Sequence, residues 1–98
     1  MSENNLQLFL QELAPDMLAF ARKIVQTRSF TCEEGDVADL VVKKMKQLGY
    51  DEVIIDDAGN VLGRVGSGEA ALLFDGHMDT VSVTDLDQWT VDPFGGEI

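Results

Sequence analysis

The sequence has 98 residues, 45% of them hydrophobic and 26% charged, enough for one domain that buries about two thirds of the surface its unfolded chain exposes and too few for two. A net charge of -11 argues against binding to nucleic acid or to an anionic membrane through a basic face, and no apolar run approaches the roughly 20 residues that span a bilayer. The single Cys32 excludes an internal disulfide, and with no basic leader ahead of an apolar core the expected setting is reduced and cytoplasmic. The acidic excess names no partner, since it is more often a solubility feature than a cation site.

From Asn4 to Thr27, Leu6, Phe9, Leu10, Leu13, Met17, Phe20, Ala21 and Ile24 recur at spacings of three and four. This pattern predicts an amphipathic helix laid on a core. Pro15 falls inside it, and a proline in a helix interior removes a hydrogen bond at a cost of about 3 kcal/mol. A break or kink is therefore expected near Ala14, with Pro15 opening a second segment. Arg22, Lys23 and Arg28 suit the negative pole of the helix dipole.

In the connection Arg28-Ser29-Phe30-Thr31-Cys32, Thr31 followed three residues later by Glu34 is a capping-box signature for a second helix. Glu33, Glu34 and Asp36 would load its first turn and Lys43, Lys44 and Lys46 its last. The acids read as a complement to the helix dipole in preference to a metal site. Val37, Leu40, Val41, Lys44 and Leu48 form its apolar stripe, with Lys44 snorkelling, and Gly49 stands where a left-handed cap ends helices. Cys32 reads as a small loop or core residue, because no second histidine exists to activate it as a nucleophile.

Asp51–Asp57 and Val61–Val65 flank Asp57-Ala58-Gly59-Asn60, a hairpin signal. Gly66-Ser67-Gly68-Glu69 then turns the chain, and it is no phosphate loop because it leads into a strand pattern and not into a helix. Ala70-Ala71-Leu72-Leu73-Phe74 is a short apolar run bounded by turn formers, which predicts a strand buried on both faces. Past it come Asp75, Gly76, the only histidine, His77, and Asp79. In open α/β sheets chemistry sits beyond the carboxyl ends of strands. If the strand persists, Asp75, His77 and Asp79 point to one side, a plausible place for a metal or a proton. Residues 82–98 lose periodicity and read as an ordered loop. Trp89 and Phe94 are expected to anchor it on the core, a substrate-facing aromatic being the alternative.

The stretch Leu72-Leu73-Phe74-Asp75-Gly76-His77-Met78-Asp79-Thr80-Val81 resembles the first metal motif of the co-catalytic zinc peptidases and amidohydrolases, a family that includes acetylornithine deacetylase, succinyl-diaminopimelate desuccinylase, aminoacylase and glutamate carboxypeptidase. The order of elements resembles that family's amino-terminal order, and Trp89 with Asp92-Pro93-Phe94-Gly95 resembles the segment before its second motif. The likeness is nearest to the bacterial hydrolases named for a link to selenium metabolism. It implies an α/β fold: two amino-terminal helices, a β-hairpin and a buried motif strand, opening a catalytic domain whose central mixed sheet is flanked by helices. Residues 1–98 would be the amino-terminal part of that domain, with its remainder and the lid domain that mediates dimerisation lying further along.

The resemblance implies that His77 is a ligand of one of two zinc ions and that Asp79 is the acid of the catalytic centre that holds its imidazole. A carboxylate on one ring nitrogen fixes the tautomer and raises the basicity of the other. Gly76 would let the backbone pass close to the metals, and Asp75 would be a turn or supporting residue. The implied activity is hydrolysis of an amide bond in a small peptide or N-acyl amino acid, by a metal-activated water. This chain offers one histidine where a catalytic zinc needs about three protein ligands, so alone it is expected to be inactive. Two other readings come from the residues. One is a phosphotransfer domain of the haloacid dehalogenase type with Asp75 as nucleophile, although the acid due two residues later is replaced by His77. The other is a small acidic interaction domain, distinguished by a cooperative monomer with no exposed apolar face. The fragment reading expects a large apolar patch, or association that hides it.

Overall fold

The computed structural model describes residues 2–98. In chain order it contains helix α1 (Glu3–Val25), helix α2 (Gly35–Gln47), strands β1 (Glu52–Ile55) and β2 (Val61–Arg64), and a 3-10 turn at Leu86–Gln88. The chain divides into two compact units. One comprises residues up to Thr27 together with Val83–Ile98, the other Arg28–Ser82.

In the first unit, Ser2 caps α1, its Oγ accepting from the Asn5 N–H at 3.3 Å, with Glu3 in the first turn and Arg22 and Lys23 in the last. The expected break is absent: Pro15 lies inside an uninterrupted helix. Proline removes a single intrahelical bond, whereas stopping and restarting would incur a second unfavourable nucleation, so one continuous helix is the cheaper arrangement. No residue of α1 is fully buried; Leu13, Ala14, Phe20 and Ile24 are half-buried and most of the remaining stripe is exposed. Asp92 organises the terminal segment, its carboxylate accepting from Phe94 N–H at 2.9 Å and its carbonyl from Gly95 N–H at 2.9 Å. The Gln26 side chain donates to the Gly95 carbonyl at 2.9 Å. Gly96, at φ 68°, comes so near the backbone of Arg22 that a Cβ would stand 3.1 Å from its carbonyl oxygen. Trp89 and Phe94 stay substantially exposed, so this segment is held by backbone and amide hydrogen bonds and not by the aromatic anchors expected.

In the second unit, α2 starts at Gly35, with Glu34 at the cap and no side-chain capping bond, so the predicted capping box does not form. Gly49 ends the helix at φ 81°, as the sequence predicts. β1 and β2 pair antiparallel, Val53 opposite Gly63 and Ile55 opposite Val61, and α2 packs on both. Val37, 2% exposed, and Ala38 are the buried apolar residues of this small core. No helix is long and apolar enough to cross a membrane among the described residues.

The hairpin turn is built on Asp56. Its carboxylate accepts from the backbone N–H of Ala58 and Asn60 at 3.0 and 2.9 Å and from the Asn60 side chain at 2.9 Å, reinforcing the backbone bonds Gly59 N–H to Asp56 carbonyl and Asp56 N–H to Asn60 carbonyl. The bonds to the carboxylate, the Asn60 side chain foremost, hold its pKa below the ordinary value of 3.8. On acidification below 3.8 the unfolded chain takes up the proton before the folded one, so the turn's contribution is full above that pH and lost as the pH falls through the lower folded value. An acid titration followed at the Ala58 and Asn60 amides is expected to show them losing protection there, and Asp56→Asn to remove that step.

Residues 70–74, predicted as a strand buried on both faces, have no regular secondary structure. Leu72, Leu73 and Phe74 are 82%, 85% and 87% exposed. Strand formation needs a neighbour to take its backbone donors and acceptors. The only sheet among the described residues is the β1–β2 hairpin, which does not extend to this run.

Candidate functional site

Beyond the exposed apolar run the chain becomes ordered by pairing with the connection ahead of α2. Thr80 N–H donates to the Ser29 carbonyl at 2.7 Å, making a parallel bridge between Phe30 and Thr80. The Thr80 hydroxyl donates to the same carbonyl at 3.2 Å, and Ser29 Oγ, on a buried side chain, donates back to the Met78 carbonyl at 2.7 Å. The connection is braced in turn. Arg28 pairs with Glu33 at 2.9 Å and lies over the Phe30 ring at 4.3 Å, while Glu34 Oε1 accepts from Cys32 N–H at 2.9 Å. Cys32 is an exposed loop residue with φ 68°, not a core one.

On this frame His77 and Asp79 meet. His77 Nδ1 lies 2.9 Å from Asp79 Oδ1 and 3.0 Å from the Asp79 carbonyl oxygen. The Thr31 hydroxyl donates to the other carboxylate oxygen, Oδ2, at 2.7 Å. The His77 side chain is 85% exposed. Asp79 is held below the ordinary carboxylate range, first by the Thr31 hydroxyl and then by the hydrogen bond and charge of His77, so it is ionised at neutral pH. An ionised carboxylate and a carbonyl can only accept, so Nδ1 carries a proton, and in the neutral ring this leaves the lone pair on Nε2.

Asp75 has no hydrogen bond or ion pair among the described residues and does not join this pair. A Cβ at Gly76 would meet nothing within 4 Å, so contacts within this chain do not require glycine there. Among the described residues no three His, Cys, Asp or Glu side chains are grouped to hold a metal ion. The roles of Ser29 and Thr31 escape a reading of local motifs. Their visible signal, two hydroxyl residues flanking Phe30, fits a helix cap equally well, and their partners lie 49 and 48 residues along the chain.

The chain is similar to protein YgeY of Escherichia coli K12, with 38% identity over 81 residues, covering 83% of this chain and 20% of that protein. It is also similar to succinyl-diaminopimelate desuccinylases. The identity is 34% with that of Rhodospirillum centenum, covering 88% of this chain and 24% of the enzyme, and 39% with that of Cereibacter sphaeroides, covering 85% and 23%. The chain thus spans between a fifth and a quarter of the length of the curated relatives it matches. No family model matches it, and no solved structure does.

Proposed function

We propose, from the premise that this chain belongs to the hydrolase family that includes the succinyl-diaminopimelate desuccinylases, that it is the amino-terminal part of the catalytic domain of a zinc-dependent deacylase. The observation that carries the proposal is the Asp79–His77 pair, which presents an exposed imidazole with its Nε2 lone pair free. Imidazole is a good zinc ligand, and a carboxylate on its far nitrogen is the usual companion of one. His77 would hold one ion, Asp79 would orient and polarise the ring, and the 29–31 segment would fix the backbone beneath both. A single imidazole is one corner of a donor set, and the proposal assigns the remaining ligands and the general base to chain beyond these residues. The exposure of Leu72, Leu73 and Phe74 supports this, since strands supplied by a longer chain would cover them and make the run a sheet strand. When bound, zinc would polarise the amide carbonyl and lower the pKa of a coordinated water.

The proposed substrates are small N-acylated amino acids, with N-succinyl compounds first because the relatives' names carry that group. The test is hydrolysis of N-succinyl and N-acetyl amino acids and of dipeptides by the complete protein. Turnover of an acylated amino acid that a chelator abolishes and zinc restores is the expected result; activity indifferent to chelation contradicts the proposal.

A further inference from the structure

We propose that Thr31 is a positioning residue of the His77–Asp79 pair: by holding Asp79 Oδ2, its hydroxyl turns Oδ1 to His77 Nδ1 and selects the ring tautomer that leaves Nε2 free. Its importance for metal binding rests on the reading of His77 as a ligand, whereas its effect on the tautomer does not.

The terminal torsion of an aspartate is broad and nearly two-fold, so backbone geometry alone does not decide where the carboxylate plane lies. Two anchors decide it here, one on each oxygen: His77 on Oδ1 and Thr31 on Oδ2. His77 is a poor anchor by itself, because its ring is 85% exposed and water competes for both nitrogens. Thr31 is the better one. Its β-branched side chain has few rotamers, and its backbone is fixed by the Phe30–Thr80 bridge and the Ser29–Met78 bond on one side and by the Cys32–Glu34 bond on the other. Thr31 follows Phe30 and Asp79 precedes Thr80 at that bridge, and their side chains meet diagonally across it. An unconstrained imidazole in water prefers its proton on Nε2, the nitrogen a metal would need bare. The oriented carboxylate reverses this preference, and the threonine orients the carboxylate. The capping-box threonine is thus diverted from its helix to the site.

The test is the protonation pattern of the His77 ring, read from its two ring 15N shifts in the 98-residue chain at mildly alkaline pH. The wild-type chain is expected to carry the proton mainly on Nδ1. Thr31→Val removes the hydroxyl and keeps the branched shape; it is expected to lower the Nδ1–H to Nε2–H ratio several-fold, while Thr31→Ser keeps the wild-type ratio. The amide signals of Phe30 and Thr80 report whether the bridge survives in each variant. An unchanged ratio in Thr31→Val overturns the proposal. So does a wild-type ring protonated mainly on Nε2, a result that needs no variant to fold. The metal reading is judged separately, by the zinc content of the complete protein with and without His77, so either idea can fail while the other stands.

Discussion

Replacing His77 by alanine in the complete protein is expected to abolish amide hydrolysis and to lower zinc content, whereas Asp79→Asn is expected to keep most of the metal and to lose about 10–100-fold in turnover. The difference follows from what each side chain touches. His77 is the only imidazole in the sequence, and Nε2 is the atom it offers outward. Asp79 reaches that atom only through the ring, by its 2.9 Å contact with Nδ1. Asparagine retains an oxygen that can accept from Nδ1–H but brings no charge to stabilise the polarised ring. Zinc content and turnover measured on the same preparations separate these effects, and unchanged turnover in both variants would contradict the account.

The largest structural effect is expected at Gly63. In β2, a Cβ on this residue would stand 2.6 Å from Met45 Sδ of α2 and 2.7 and 2.8 Å from Cδ2 and Cε2 of the Tyr50 ring. The methionine can swing aside, but the aromatic ring must move with the chain that leads from α2 into β1. Gly63→Val is therefore expected to cost about 1–3 kcal/mol, the range for overfilling a packed contact. It would appear as a lower urea midpoint with the slope unchanged. Gly35→Ala is the control, since its Cβ would meet nothing within 4 Å. A midpoint for Gly63→Val equal to that of wild type would mean that α2 is not seated on the hairpin as described.

What could be read from the residues was what short-range chemistry decides. The apolar spacing of α1, the stop at Gly49 and the hairpin around Asp56–Asn60 each depend on neighbours a few positions away. Pro15 does not break α1, because its local penalty is outweighed by the cost of renucleating a helix. Thr31 is ambiguous in sequence, because a capping box and a hydrogen bond to a carboxylate 48 residues away demand the same hydroxyl. The apolar run Leu72–Phe74 shows the limit most clearly. Its composition suits a buried strand, yet a strand exists only with a neighbour to pair with, and within residues 2–98 the run has none. The pairing of His77 with Asp79 is legible through the motif resemblance; strand alternation alone also puts Asp75 on that side, and Asp75 does not join them. That Thr31 and Ser29 hold this pair is not legible, since nothing in the spacing of residues 28–34 points to residue 79.

The most direct test of the central claim is the zinc content of the complete protein, measured beside the 98-residue chain and beside the complete protein carrying His77→Ala. About two zinc ions in the complete protein, as a co-catalytic site requires, with a loss in the variant and weak binding by the short chain, is the expected result. A complete protein that binds no zinc, or one whose zinc content is indifferent to His77, would contradict the claim.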